Sequence, residues 1–310
     1  MSFLRATGAY LPERILTSEE LAPRLGVPAN WISNVSGIRE RRIAGDSESI
    51  VSMGAAAARN ALERAGLAIS QIGALLVSSG TFQRSFPGPA AEVAHELGLD
   101  SAFALDVPVA SAGSIFAFAL ADTLAERFRN VLVVATEKMS PIALREPLNR
   151  SIAGLFGDGA GACIVSSETG FARILGSVLH SDGTCANDLA LGFDGVMTMS
   201  GRSVIVNSTE KVPACIRELL ESVNVAVQDV KAIVMHQANR HLMDRVAGSL
   251  NISPEIFFSN IDRYGNTSSA SMLIALDEWL AGEGMAAGSN VVLAGFGAGY
   301  HWGAAALRGC

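Results

Sequence analysis

The amino-acid sequence predicts an α/β fold built from two duplicated halves, with helices layered against buried sheets. Three observations predict it. LERAGLAISQIGALLVSS (62–79) matches LESVNVAVQDVKAIVMHQ (220–237) without a gap. Two further pairs follow in the same order, ALADTLA (119–125) with ALDEWLA (275–281) and NVLVVA (130–135) with NVVLAG (290–295); the offsets stay between 156 and 160 residues, the signature of an internal repeat. The apolar runs are rich in Val, Ile and Leu and do not alternate with polar residues, as in strands covered on both faces. The halves are expected over 1–165 and 166–310.

The elements follow in order. MGAAAARNALERAG (53–66) reads as a helix whose alanines permit close packing and whose Gly66 suits a left-handed C-terminal cap. ALLV (74–77) and FAL (103–105) read as strands, and DVPVASAGS (106–114) as the turn into the helical stretch IFAFALADTLAERF (115–128). GDGAG (157–161) reads as a buried turn, because no acidic residue at dinucleotide spacing supports a phosphate loop. In the second half AIVM (232–235) is a strand that ends at His236. YGNTSSAS (264–271) then precedes a helix, and GFGAGYHWG (295–303) is a glycine-rich turn after a strand.

Composition narrows the function. A chain of 310 residues, 49% hydrophobic, buries a sizeable core. A net charge of −7 argues against a nucleic-acid partner, which needs a basic face. No apolar run reaches the roughly 20 residues that span a bilayer. MSFLRATGAYLPERI lacks the basic start and apolar stretch of a secretory signal, so a soluble cytoplasmic protein without membrane contact is expected. Cys163, Cys185, Cys215 and Cys310 are scattered, with no metal-ligand spacing, and are expected to be reduced, with no metal bound.

The candidate chemistry is acyl transfer. Ser111 sits at a strand-to-helix turn, His236 at a strand end, and Asn266 aligns with Ser111 when the halves are superposed. A serine hydroxyl becomes a nucleophile when a base takes its proton, and histidine is the natural base near neutral pH. An asparagine amide can donate to a developing oxyanion, as can the backbone amides of Ser111 and Ala298. Each residue also has a plainer reading. Ser111 could be a helix N-cap, His236 a structural histidine and Gly265–Ser268 an ordinary turn.

Several segments resemble the β-ketoacyl-acyl-carrier-protein synthase III family of the thiolase superfamily. They are WISNVSGIRERRI (31–43), LFGDGAGACIV (155–165), HQAN (236–239), GNTSSAS (265–271) and FGAGYHWGAA (296–305). The resemblance implies a thiolase-like five-layer αβαβα fold, a homodimer, and an acyl-enzyme intermediate that condenses with a malonyl thioester. It implies coenzyme A and carrier-protein thioesters as substrates and no resident cofactor. It assigns His236 and Asn266 to decarboxylation, and Trp31 and Arg150 to coenzyme A contact. It places Asn239 near the pantetheine tunnel and Phe86 in the acyl pocket of a partner subunit.

The sequence also departs from the family. The family nucleophile is a cysteine, and Ser111 stands in its slot. Val35 replaces an arginine after Trp31. The positions of a basic carrier-protein patch hold Val206, His241, Gly248 and Ser249. Arg202, Arg240 and Arg245 offer a different basic set. The expected function is transfer of an acyl group from an acyl-CoA through Ser111 to a malonyl thioester or a small-molecule acceptor, in fatty-acid or specialised-metabolite biosynthesis. The alternatives are a cysteine-to-serine variant of an ordinary synthase III and a non-catalytic homologue that binds acyl thioesters.

Overall fold

The computed structural model describes residues 1–310. Its nine principal strands are β1 (Phe3–Tyr10), β2 (Ala74–Ser78), β3 (Phe103–Asp106), β4 (Asn130–Glu137), β5 (Gly159–Ser166), β6 (Ala172–Ser181), β7 (Val230–Met235), β8 (Asn290–Gly297) and β9 (His301–Gly309). They form one hydrogen-bonded sheet in the order β7-β8-β9-β6-β1-β5-β4-β2-β3.

The duplication is visible in strand direction. In the first half β1 and β5 pair antiparallel, β5 and β4 antiparallel, and β4 and β2 parallel. In the second half β6 and β9 pair antiparallel, β9 and β8 antiparallel, and β8 and β7 parallel. ALLV falls on β2 and AIVM on β7; NVLVVA falls on β4 and NVVLAG on β8. The expected boundary at 165/166 falls at the last residue of β5. The two half-sheets meet through β1 and β6 at Phe3–Arg173 and Leu4–Ala172.

Six helices make the remaining layers. α1 (Ile50–Ala65) and α2 (Pro89–Leu97) cover the outer face of the first half-sheet. α3 (Gly113–Phe128) and α6 (Ser271–Gly282) lie between the half-sheets, and each touches strands of both. α4 (Gly201–Ser222) and α5 (Arg240–Leu250) form the outer layer of the second half. The order is αβαβα. Three apolar clusters fill the spaces between layers. The central one joins Leu76, Ile115 and Phe118 to Leu273 and Leu293. Two outer ones lie under α1 and under α4 and α5.

Local chemistry explains the elements that frame the site. Ser49 caps α1 by accepting the Ser52 N–H at 3.0 Å, and Gly66 closes the helix at φ 62°. The alanines of α1 let β1 approach closely: a Cβ at Gly8 would lie 2.4 Å from the Ala57 carbonyl oxygen. The GDGAG segment is buried, but it is not the turn its sequence suggests: Gly157 and Asp158 lead straight into β5, which begins at Gly159. Asp158 accepts from Ala44 N–H at 2.7 Å and from Ser140 N–H and Oγ at 2.8 and 2.6 Å.

The two sheet edges differ. β7 is flanked by Phe257 and Phe258, which bond to Ile233. β3 has no outer neighbour, and Phe103 and Leu105 on it are each 42% exposed. No helix is long and apolar enough to cross a membrane. All four cysteines are free, and burial pushes the Cys163 and Cys215 thiols up to about 12.

Candidate active site

The site forms where the strand ends of the two halves meet the central helices. β3 ends at Asp106, and the chain runs through Val107–Ala110 before α3 begins at Gly113. Ala112 N–H donates to the Ala110 carbonyl at 2.8 Å, which makes a three-residue turn centred on Ser111. Ser111 has φ 64°, the strained hand of that turn for a residue with a side chain. The N-cap of α3 is Ala112, and no side chain caps the helix. Ser111 Oγ has no hydrogen-bond partner in the protein. The reading of Ser111 as an N-cap is therefore set aside.

Neighbouring glycines hold this turn in place. A Cβ at Gly113 would lie 1.8 Å from Ser78 Oγ at the end of β2. A Cβ at Gly297 would lie 1.9 Å from the Ala110 carbonyl oxygen and 2.6 Å from Ala112 N. The backbone at the end of β8 thus presses directly against the Ser111 turn. This explains the small residues of FGAG (296–299), and it brings Ala298 beside Ser111 in the wall of one cavity of about 50 Å³.

The second half contributes His236 and Asn266. His236 follows β7 and is 3% exposed. Burial pushes its imidazole down to about 4, against a smaller opposing pull from the Ser268 carbonyl. His236 Nδ1 lies 2.6 Å from Ser271 Oγ at the start of α6. Asn266 is held by backbone bonds to both sides of Phe156: its N–H donates to Leu155 at 2.9 Å and its carbonyl accepts from Gly157 at 3.1 Å. Asn266 Oδ1 accepts the Ser268 N–H at 2.8 Å, which leaves the Nδ2 donors without a protein partner.

Ser111, His236, Asn266 and Asn239 line one pocket of about 130 Å³, walled by Leu155, Phe156, Met199, Val204, Leu242 and Phe296. Three of these four are the expected reactive residues. Asn239 is engaged on both sides: its Oδ1 caps α5 by accepting His241 N–H at 2.8 Å, and its Nδ2 donates to the Val35 carbonyl at 2.9 Å. His241 Nε2 lies 2.8 Å from the Asn34 carbonyl. Together they fasten the short helix Trp31–Ser36 to the start of α5.

Trp31, Arg150 and Phe86 lie outside both cavities. Trp31 packs on Leu21, Leu25, Ile32 and Ala153. Arg150 Nε donates to the Leu25 carbonyl at 2.8 Å. Phe86 is 83% exposed, far more than an aromatic ring that fills a pocket of its own chain.

The sequence reading missed four contributors. Superposing the halves by residue type paired Ser111 with Asn266. The backbone pairs it with Ser268 instead, which also has a left-handed φ, 48°, just ahead of the central helix. Ser111 N–H donates to Ser268 Oγ at 3.2 Å. Ser271 holds His236. Glu137, at the end of β4, is fully buried with no cation beside it. It accepts from Gly80 N–H at 3.1 Å, Thr81 Oγ1 at 2.6 Å and Ser269 Oγ at 2.7 Å. It thereby ties the 80–81 cavity wall to the 268–269 turn. Arg41, in the resemblance segment 31–43, is also fully buried. It donates to the carbonyls of Leu16 at 3.1 Å and Gly154 at 2.8 Å, so its role is structural.

Residues 220–309 match the family described as 3-Oxoacyl-[acyl-carrier-protein (ACP)] synthase III C terminal, and residues 105–183 match 3-Oxoacyl-[acyl-carrier-protein (ACP)] synthase III. The β-ketoacyl-[acyl-carrier-protein] synthase III of Wolbachia pipientis subsp. Culex pipiens is 35% identical, over 99% of this chain and 99% of that protein. The crystal structure of 3-oxoacyl-[acyl-carrier-protein] synthase III from Aquifex aeolicus superposes with TM-score 0.94 at 34% identity, over 99% of this chain and 100% of that one. The priming β-ketosynthase of the R1128 polyketide pathway superposes with TM-score 0.92 at 34% identity, over 99% and 96%.

Proposed function

The chain belongs to the 3-oxoacyl-[acyl-carrier-protein] synthase III family, a family of transferases, and on that premise we propose that it transfers acyl groups through Ser111. The single observation that carries this reading is Ser111 itself. Its hydroxyl is unengaged, its backbone is held in a strained turn, and it shares a pocket with His236 and Asn266. A serine kept only for size needs none of these.

In this reading an acyl-CoA enters the apolar pocket. Ser111 Oγ attacks the thioester carbonyl as His236 takes its proton. The C–S bond breaks, the proton passes to the leaving thiolate, and the acyl group remains as an ester on Ser111. The amides of Ser111 and Ala298 face the developing oxyanion. Ser111 N–H is occupied by Ser268 Oγ at 3.2 Å, a long bond that a charged oxygen displaces. His236 and Asn266 Nδ2 then hold the acceptor, a malonyl thioester or a small molecule of fatty-acid or specialised-metabolite biosynthesis.

The surface near the pocket supports a coenzyme A-borne or small acceptor over an acidic carrier protein. Val206 is 53% exposed, and the other positions of the expected patch, His241, Gly248 and Ser249, supply no lysine or arginine, although the Ser249 carbonyl accepts from Arg217. Arg240 is paired with Asp244 at 3.1 Å. A homodimer in the cytoplasm completes the reading. The open β3 edge supplies the interface, and Phe86 reaches the partner.

The test is intact-protein mass spectrometry after incubation with a panel of acyl-CoAs. One acyl mass added to the parent and absent from Ser111→Ala supports the reading, and the preferred chain identifies the donor. No adduct with any donor rejects it in favour of a binding-only protein. Ser111→Cys then asks whether the scaffold condenses at all.

A further inference from the structure

We propose that Ser271 is a positioning residue that fixes the tautomer of His236, holding the ring proton on Nδ1 and leaving Nε2 as the proton acceptor. The inference rests on the contacts of one hydroxyl; its use in catalysis rests on the Ser111 reading above.

Ser271 Oγ has three polar neighbours. Gln237 N–H lies at 3.1 Å and can only donate. The Ser268 carbonyl lies at 3.0 Å and can only accept. His236 Nδ1 lies at 2.6 Å and can do either. A serine hydroxyl has one proton to give and two lone pairs to receive. If the proton goes to Ser268, the Oγ receives both Gln237 N–H and His236 Nδ1–H, and all three contacts are hydrogen bonds. If the proton goes to Nδ1 instead, the Ser268 contact becomes two oxygens facing each other without a proton. The Ser268 carbonyl then loses the hydroxyl as a donor and is left with the Ser271 N–H and the edge of the His236 ring. In a site where Ser268, Ser271 and His236 are all buried, a lost bond is not replaced by water. The first arrangement is the one in which every contact is satisfied.

The backbone makes this arrangement rigid. Gln237 is the residue after His236, and Ser268 is one turn before Ser271. The hydroxyl therefore links the end of β7 to the start of α6, with both fixed partners on the main chain.

The chemical consequence concerns Nε2. With the proton on Nδ1, neutral His236 begins the reaction as a base. Nε2 accepts the Ser111 hydroxyl proton as the Oγ–C bond forms. The same proton then passes from Nε2 to the departing thiolate as the C–S bond breaks, and Nδ1–H stays on Ser271 throughout. The opposite tautomer would present an N–H to a hydroxyl that needs to lose its proton.

The experiment is long-range ¹H–¹⁵N correlation on protein labelled with ¹⁵N-histidine at neutral pH. His236→Gln identifies the His236 signals among the five histidines. The expected result is a single protonated-Nδ1 pattern in the parent, lost or mixed in Ser271→Ala. A protonated-Nε2 pattern in the parent overturns the proposal, even if Ser271→Ala fails to fold. An unchanged Nδ1 pattern in folded Ser271→Ala overturns it too. In a single-turnover assay with acetyl-CoA, Ser271→Ala is expected to acylate about tenfold more slowly with unchanged acetyl-CoA affinity. An unchanged rate in folded Ser271→Ala overturns the catalytic use. If the parent forms no adduct, the Ser111 reading fails, and the tautomer result stands or falls on the spectrum alone.

Discussion

Ser111 and Ser268 are counterparts across the two halves: each has a left-handed backbone just ahead of a central helix, and Ser111 N–H donates to Ser268 Oγ at 3.2 Å. The bond joins the Ser111 turn of one half to the Asn266–Ser268 turn of the other. The geometry of the Ser111 amide therefore depends on residues more than 150 positions away.

The left-handed backbone at Ser111 costs the native state about 1 kcal/mol for any residue with a Cβ. Ser111→Gly is expected to raise the unfolding free energy by about that amount, less what the added freedom of the unfolded chain takes back. It is expected to abolish acyl adduct formation at the same time. Urea denaturation beside mass spectrometry checks both. A destabilised Ser111→Gly would contradict the strain argument.

His236 makes stability fall in mild acid. Its folded value of about 4 lies below the ordinary 6.5, because burial disfavours the charged ring. The unfolded chain takes up the proton first, so stability is lost as pH falls from about 6.5 to about 4. The loss is on the order of a few kcal/mol. His236→Gln is expected to flatten this part of the curve, as measured by thermal unfolding from pH 7 to pH 4. The acylation rate is expected to show no step near pH 6.5 from this ring.

Glu137→Gln changes little in shape and much in bonding. The carboxylate accepts from Gly80, Thr81 and Ser269, and an amide turns two of its own donors toward those groups. A loss of about 1–3 kcal/mol is expected by chemical denaturation. Acylation is expected to slow as well, because Ser269 adjoins Ser268. Unchanged stability would mean that the amide finds other acceptors in the site.

The open edge at β3 leads to a fourth expectation. Phe103→Glu with Leu105→Lys places charges on the strand that the homodimer reading puts in the interface. Sedimentation is expected to show a dimer in the parent and a monomer in the double variant. A parent that sediments as a monomer removes Phe86 from any partner's pocket.

Much of the fold was legible because the repeat carries it. Matched segments such as ALLV and AIVM fell on matched strands, and Gly66 closed its helix as expected. Ser111, His236 and Asn266 were legible because their residue types suit acyl transfer, with Ser111 and His236 after strands and Asn266 shortly before the central helix α6. Ser268 was not, since its equivalence with Ser111 lies in a backbone angle and not in a residue pattern. Glu137 and Ser271 were hidden for a different reason. A glutamate ending an apolar run and a serine starting a helix are ordinary in sequence, and only their neighbours from distant segments give them a role.

The central layer has a consequence for how the molecule fails. α3 and α6 come from opposite halves yet share one apolar core, while the half-sheets themselves meet at only two residue pairs. If either half opens, the other loses one wall of its interior. The two halves must therefore melt as one cooperative unit, and the strained Ser111 turn disappears with them. A protease cut between β5 and β6 would leave two fragments held by packing alone. Acylation of the nicked protein would then report whether the reassembled core survives.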